Sequence, residues 1–139
     1  MKVIVVDGQG GKMGKMIIER IKSANISCEL TAVGTNSIAT ATMLKAGAQA
    51  GATGENPVVV LSRTADCFIG PVGIIAADSL LGEITPLMAA SIGQSPAKKL
   101  LIPVNLCNNI IIGTSSLSLS KLVEEAVEEL AKLCTAEEN

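Results

Sequence analysis

Residues 3 to 14 read VIVVDGQGGKMG, and the reading of this stretch decides the fold. Val3 to Val6 is an apolar, β-branched run of the kind buried on both faces of a parallel sheet, and Asp7 and Gly8 end it. From Met13 onward Met16, Ile17, Ile21 and Ala24 fall on one helical face, with Lys15, Glu19, Arg20 and Lys22 on the rest. The glycines between strand and helix are Gly8, Gly10, Gly11 and Gly14. They match GxxGxxG through Gly8, Gly11 and Gly14, not strict GxGxxG, because position 13 is Met. A loop of this kind turns tightly, lets backbone amides approach an anion and packs the helix close to the sheet. Gly8, Gln9, Gly10, Gly11, Lys12, Met13 and Gly14 are therefore candidate phosphate-binding residues, with Lys12 adding a cation. The alternative is a turn that needs glycine for its geometry alone. A P-loop is excluded, since Gln9 stands where the first glycine belongs and Met16 replaces the hydroxyl residue.

Working outward, Ser27 to Val33 reads as a second strand, and Asn36 or Ser37 caps a helix ending near Gly47. Val58 to Leu61 favours a strand by composition. A strand there would reach the convincing strand at Cys67 to Gly70 through too few residues for a parallel crossover. Asn56 before Pro57 also looks like an N-cap followed by the favoured first helical residue. The expectation is a strand at Ala48 to Ala52, a short helix at Pro57 to Thr64 and a fourth strand at Asp66 to Gly70. Ile74 to Leu81 is expected to be helical, Thr85 and Pro86 to open a helix running to about Gly93, and Lys98 to Val104 to form a fifth strand. Ile110 to Gly113 follows too closely for a crossover and is expected to pair antiparallel at an edge. A helix from Leu119, with Leu122, Val123, Ala126, Val127, Leu130 and Leu133 on one face, closes the chain. The predicted fold is three-layer α/β with a mostly parallel, doubly wound sheet. It forms one domain over residues 1–134, with a short tail at 135–139.

Composition narrows the function. The chain has 139 residues, no His, Trp or Tyr, and Phe68 as its one aromatic residue, which removes Ser/His/Asp catalysis, His-ligated zinc and base stacking. A net charge of -2 leaves no electrostatic footprint for nucleic acid. Charged residues are only 17% of the chain, fewer than the roughly 25% of ordinary domains, so a homo-oligomer that buries apolar surface is expected. The stretch Leu100 to Ser120 is uncharged but broken by Pro, Asn and Gly, so no membrane span is expected. Met1 and Lys2 lead straight into the first strand, which points to a cytoplasmic protein. Cys28, Cys67, Cys107 and Cys134 form no CxxC and are expected to be reduced thiols, with no metal site.

In the predicted topology several further segments meet the glycine loop at the carboxyl edge of the sheet, where open α/β folds bind ligands. Thr35 and Asn36 follow the second strand and could hold a ribose or a 2′-phosphate, although the carboxylate usual at that place is missing. Thr53, Gly54, Glu55 and Asn56 follow the third strand; Gly70, Pro71 and Gly73 follow the fourth; Asn105, Cys107 and Asn108 follow the fifth. Without His, a general base would be Glu55, Asp78, Glu83 or a lysine, and a nucleophile would be Cys107. No pair is spaced to demand catalysis. Each has a structural alternative: Glu55 and Glu83 as helix-start acids, Cys107 as a small buried hydrophobe, and Asp7 as an acceptor for loop amides.

The VxGxxGxMG-like pattern from Val6 to Gly14 resembles the cofactor loop of dihydrodipicolinate reductase. Over nearly its whole length the chain more closely resembles a family of short bacterial proteins described as a domain of unknown function. That resemblance is carried by DGQGG from Asp7, GTN from Gly34, LKAGA from Leu44, GATGEN from Gly51, IGP from Ile69, LGEITP from Leu81, and IPVN from Ile102 with Cys107 and Asn108. It implies a Rossmann-like fold and assigns no catalytic residue. The expected function is binding of a phosphate-bearing nucleotide, NAD(P) first among candidates. The alternative is a non-catalytic oligomeric sensor of a smaller phosphorylated or carboxylate metabolite.

Overall fold

A computed structural model describes residues 1–104, 109–114 and 116–138. The elements run β1 (Lys2–Asp7), α1 (Lys12–Ser23), β2 (Glu29–Gly34), α2 (Ser37–Ala46), β3 (Ala50–Thr53), α3 (Glu55–Leu61), β4 (Cys67–Pro71), α4 (Pro86–Gln94), β5 (Lys98–Ile102) and α5 (Leu119–Glu138). The five strands form one parallel sheet in the order β3-β2-β1-β4-β5. This is a Rossmann-like α/β sandwich. β1 is central, and its alternating side chains build both cores. Val3 and Val5 pack with Ile17, Ile21, Met43, Val127 and Leu130 from α1, α2 and α5. Ile4 and Val6 face the opposite way, onto Val58, Phe68, Met88 and Ile92 with α3 and α4. Right-handed crossovers require this split, because the chain leaves β1 in one direction for β2 and β3 and returns on the other side for β4 and β5. The order reverses between β1 and β4, and the glycine loop lies at that switch point.

The caps read from sequence are present. The Asn36 side chain accepts the Ala39 amide, Thr85 accepts the Met88 amide, and Gly47 closes α2 at φ 121°. Val58 to Leu61 is helical despite its composition, buried on one side at Val58. Two expectations fail. Ile74 to Leu81 is not a helix: a single 3-10 turn at Val72–Ile75 gives way to a closed loop. The Ser79 hydroxyl takes the Gly73 carbonyl, and the Asp78 amide bonds the Ile84 carbonyl at 2.8 Å, so the backbone groups a helix would use are already engaged. Nor does Ile110 to Gly113 add an antiparallel edge strand; its residues are coil and turn, with Ile110 and Ile112 facing solvent. Three isoleucines suit a strand only where a neighbour pairs and covers them. At the other end α5 continues past Cys134 to Glu138, through the residues expected to form a tail.

Candidate functional site

β1 delivers Asp7 to the start of the glycine loop, where the residue is only 6% exposed. Oδ1 accepts the Gly8 amide and Oδ2 the Gly14 amide, both at 2.8 Å. The carboxylate thus occupies the positive end of α1 from inside the protein. Burial lifts its pKa above the ordinary Asp value, against the pull of the Gly14, Gly8 and Met13 amides, and nearby Glu83 adds to the rise. Gly11 turns the loop at φ 76° and donates its amide to the Gly8 carbonyl at 2.9 Å. A side chain on Gly11 would strike the Ala39 backbone at 2.9 Å, so this glycine sits where α1 and α2 make close approach. Gly10 is different: a side chain there would meet nothing.

Glu83, which sequence reading raised only as a general base or helix-start acid, reaches the loop from the segment before α4. Its Oε1 accepts three donors: the Gln9 amide at 3.0 Å, the Thr35 hydroxyl at 2.7 Å and the Asn36 side-chain amide at 2.6 Å. Burial alone would raise its pKa, but the bonds from Thr35, Gln9 and Asn36 together bring it below the ordinary Glu value. Thr35 and Asn36, expected to hold a ribose directly, instead hold this carboxylate. The backbone that carries Glu83 is unusual: Asp78, Leu80 and Leu81 have φ of 63°, 55° and 57°, followed by Gly82 at 88°.

A cleft of about 460 Å³ opens on the loop. Residues 7 to 13 form its floor, and Pro71, Leu80, Val104 and Leu119 its apolar walls. Among the described residues, the Gly10 and Lys12 amides donate to no protein acceptor. The structure therefore brings together Gly8, Gln9, Gly10, Gly11, Lys12, Met13 and Pro71, with Gly14 packed beneath against Met43.

Other candidates are engaged elsewhere. Thr53 bonds Thr40 at 2.7 Å, and Glu55 accepts the Thr85 hydroxyl at 2.6 Å, tying α3 to α4. Gly70 permits close approach to the Val6 carbonyl, and Gly73 lies against Ser79. Asn105, Cys107 and Asn108 lie outside the described residues. Among the described residues Cys28, Cys67 and Cys134 form no disulfide, and burial pushes the Cys67 thiol up to about 12, too high for a nucleophile. Sequence reasoning missed Leu80, Val104 and Leu119 as cleft walls and the position of Glu83. The one signal available was LGEITP itself, with a carboxylate just after a glycine. No described helix is long and apolar enough to cross a membrane.

A glycine loop at the switch point of a doubly wound parallel sheet places the protein in the Rossmann-like class. More narrowly, the chain belongs to the family described as Domain of unknown function (DUF3842), which matches residues 2–135. No curated protein matches it, so the resemblance to dihydrodipicolinate reductase stays confined to residues 6–14 and is not shown. One similar solved structure is a dodecameric FMN-dependent UbiX-like decarboxylase from Escherichia coli O157:H7. It is 18% identical, with 94% of this chain and 76% of that chain covered and a TM-score of 0.47.

Proposed function

We propose that the protein binds a phosphate-bearing nucleotide in the cleft over the glycine loop, with NAD(P) first among ligands. The observation that carries this reading is the cleft itself, whose floor is the loop and whose walls are Pro71, Leu80, Val104 and Leu119. Its volume suits a planar group held by apolar side chains, which is the usual make-up of small-molecule sites. The amides of Gly10 and Lys12, which meet no acceptor among the described residues, would meet the phosphate together with the exposed Lys12 ammonium. Asp7 keeps the Gly8 and Gly14 amides, so the phosphate would sit at the loop tip, outside the place the carboxylate fills.

That same count favours a second reading. Two amides without an acceptor among the described residues, and one lysine, suit a single phosphate better than a pyrophosphate, and a smaller phosphorylated metabolite fits them. A thermal-shift panel separates the two. A dinucleotide is supported by a rise in melting temperature with NAD, NADP or their reduced forms at millimolar concentration. A response to sugar phosphates or AMP alone moves the assignment to the smaller ligand, and no response to any of them overturns both. The exposed Ile38, Leu87 and Leu81 further suggest that copies associate, which light scattering tests against a 14.2 kDa particle.

A further inference from the structure

We propose that Glu83 reads the ribose of the bound nucleotide and selects a ribose with both hydroxyls free over one that carries a 2′-phosphate. The inference rests on the nucleotide reading above and goes further by naming the residue and the ligand class it prefers. In dinucleotide folds the ribose is held by an acidic side chain after the second strand, beside the glycine loop. This chain has Gly34, Thr35 and Asn36 there and no acid. The structure supplies one from elsewhere. Thr35 and Asn36 bind Glu83 Oε1, and the Gln9 amide binds the same oxygen, so a carboxylate from 48 positions further along the chain is fixed between the end of β2 and the loop.

Three donors on one oxygen fix the carboxylate's orientation, and the second oxygen, Oε2, meets no donor from the described residues. An anchored, half-buried carboxylate whose second oxygen meets no donor among the described residues accepts well from a vicinal diol. Toward a 2′-phosphate the same group is a fixed like charge, and the three donors keep it ionised. Its placement is also linked to the cleft. Leu80 forms part of the apolar wall, and Glu83 lies three residues on, across Gly8 from it: a side chain on Gly8 would meet Leu80 at 2.8 Å and Glu83 at 3.4 Å. One segment thus furnishes the wall on the β4 side of the loop and the acid on the β2 side, a span suited to a ligand with two parts. The left-handed φ values at Asp78, Leu80 and Leu81 are the conformational cost of that placement.

The test is titration of the whole chain with NADH and NADPH, read by their fluorescence, in the parent and in Glu83→Gln. Gln retains an oxygen for the Gln9 amide, and circular dichroism with a thermal melt checks that the fold is kept. The expected result is a parent that prefers NADH by about tenfold or more, with a variant in which the ratio falls to within about threefold. The ratio is the readout because a merely structural role for Glu83 would weaken both ligands alike. A parent that binds both equally overturns this inference and leaves the nucleotide reading standing. So does a variant that keeps the parent's ratio. A parent that binds neither dinucleotide overturns both.

Discussion

Two loops meet at the candidate site, and they differ in how far they reach left-handed backbone without glycine. The loop of residues 8–14 has Gly11 at φ 76° for its turn, where a residue without Cβ is at little cost, and one residue with a side chain in the same region, Gln9 at φ 50°. The loop of residues 76–84 places Asp78, Leu80 and Leu81 in the same region before it comes to Gly82. For an L-residue with a branched side chain that conformation costs about 1–2 kcal/mol. The first loop is mostly what its composition favours, Gln9 being the exception, with its amide on Glu83; the second is held against local preference by what its side chains touch. Leu80 is buried at 4% exposure over Gly8, and Glu83 accepts three donors. A loop held in that way is specified by its tertiary partners, so it is the part of the site where sequence reading is expected to fail.

The largest effect should come from the glycine that packs. Gly11→Asp introduces a side chain against the Ala39 backbone at a residue with positive φ, and overpacking and strain together should cost about 3 kcal/mol. The melting temperature should fall by about 10 °C. Gly10→Asp adds the same charge one residue earlier, into open space, and should melt within about 2 °C of the parent. Its nucleotide affinity should nevertheless fall by more than about tenfold, whereas Lys12→Ala removes one flexible charge and should cost about tenfold, near 1.4 kcal/mol. If Gly10→Asp binds like the parent while folded, the loop is a structural turn and carries no ligand.

These glycines also show how far the sequence could be read. Strand, loop and helix at residues 3–14 follow from β-branched content, helical periodicity and glycine spacing, all of which are local. Asn36, Gly47, Thr85 and Pro86 likewise mark helix ends through their own chemistry. Even the helix at Val58 could be inferred, because chain length ruled out the strand that its composition favoured. What spacing could not separate was Gly10 from Gly11, since the difference lies in Ala39, on another helix. It could not show that Thr35 and Asn36 face Glu83, because those partners are separated by up to 48 positions, whereas Asp7 as an acceptor for loop amides one and seven positions away was within its reach. Ile74 to Leu81 was misread for a related reason. Its apolar pattern suits a helix, and the loop is set by Ser79 bonding back to Gly73.

The two carboxylates beside the loop sharpen the comparison through pH. Asp7 is harder to ionise in the folded chain, so its contribution is full below the ordinary value of 3.8 and is lost as pH rises through the raised folded value. Glu83 is easier to ionise when folded. Its contribution is full above 4.5 and is lost as pH falls through the lowered folded value. Urea melts of Asp7→Asn and Glu83→Gln from pH 3 to 7 should therefore diverge. The Asp7→Asn penalty should shrink with rising pH, and that of Glu83→Gln should grow. Parallel curves would mean that the two groups share one environment and that the division between the buried Asp7 and the half-buried, hydrogen-bonded Glu83 is wrong.

The smallest effect isolates the strain itself. Leu80 and Leu81 have nearly the same φ, but Leu80 is buried and Leu81 is 93% exposed, so only Leu81 can be replaced without losing core contacts. Leu81→Asn substitutes a residue that tolerates left-handed backbone, through its short polar side chain, for one that does not. The folded chain should gain about 0.5–1 kcal/mol, a rise in melting temperature of about 2–3 °C. Leu81→Ala is the control, since it shortens the side chain but keeps the left-handed penalty of a residue with Cβ, and it should leave the melt near the parent's. Were Asn no better than Ala, the segment would not be strained at this residue, and the two loops would differ in composition but not in how they are held. Were Asn to stabilise the chain while the NADH to NADPH ratio stayed at the parent's value, the strain at Leu81 would be a consequence of placing Leu80 and Glu83, with no part of its own in selecting the ligand.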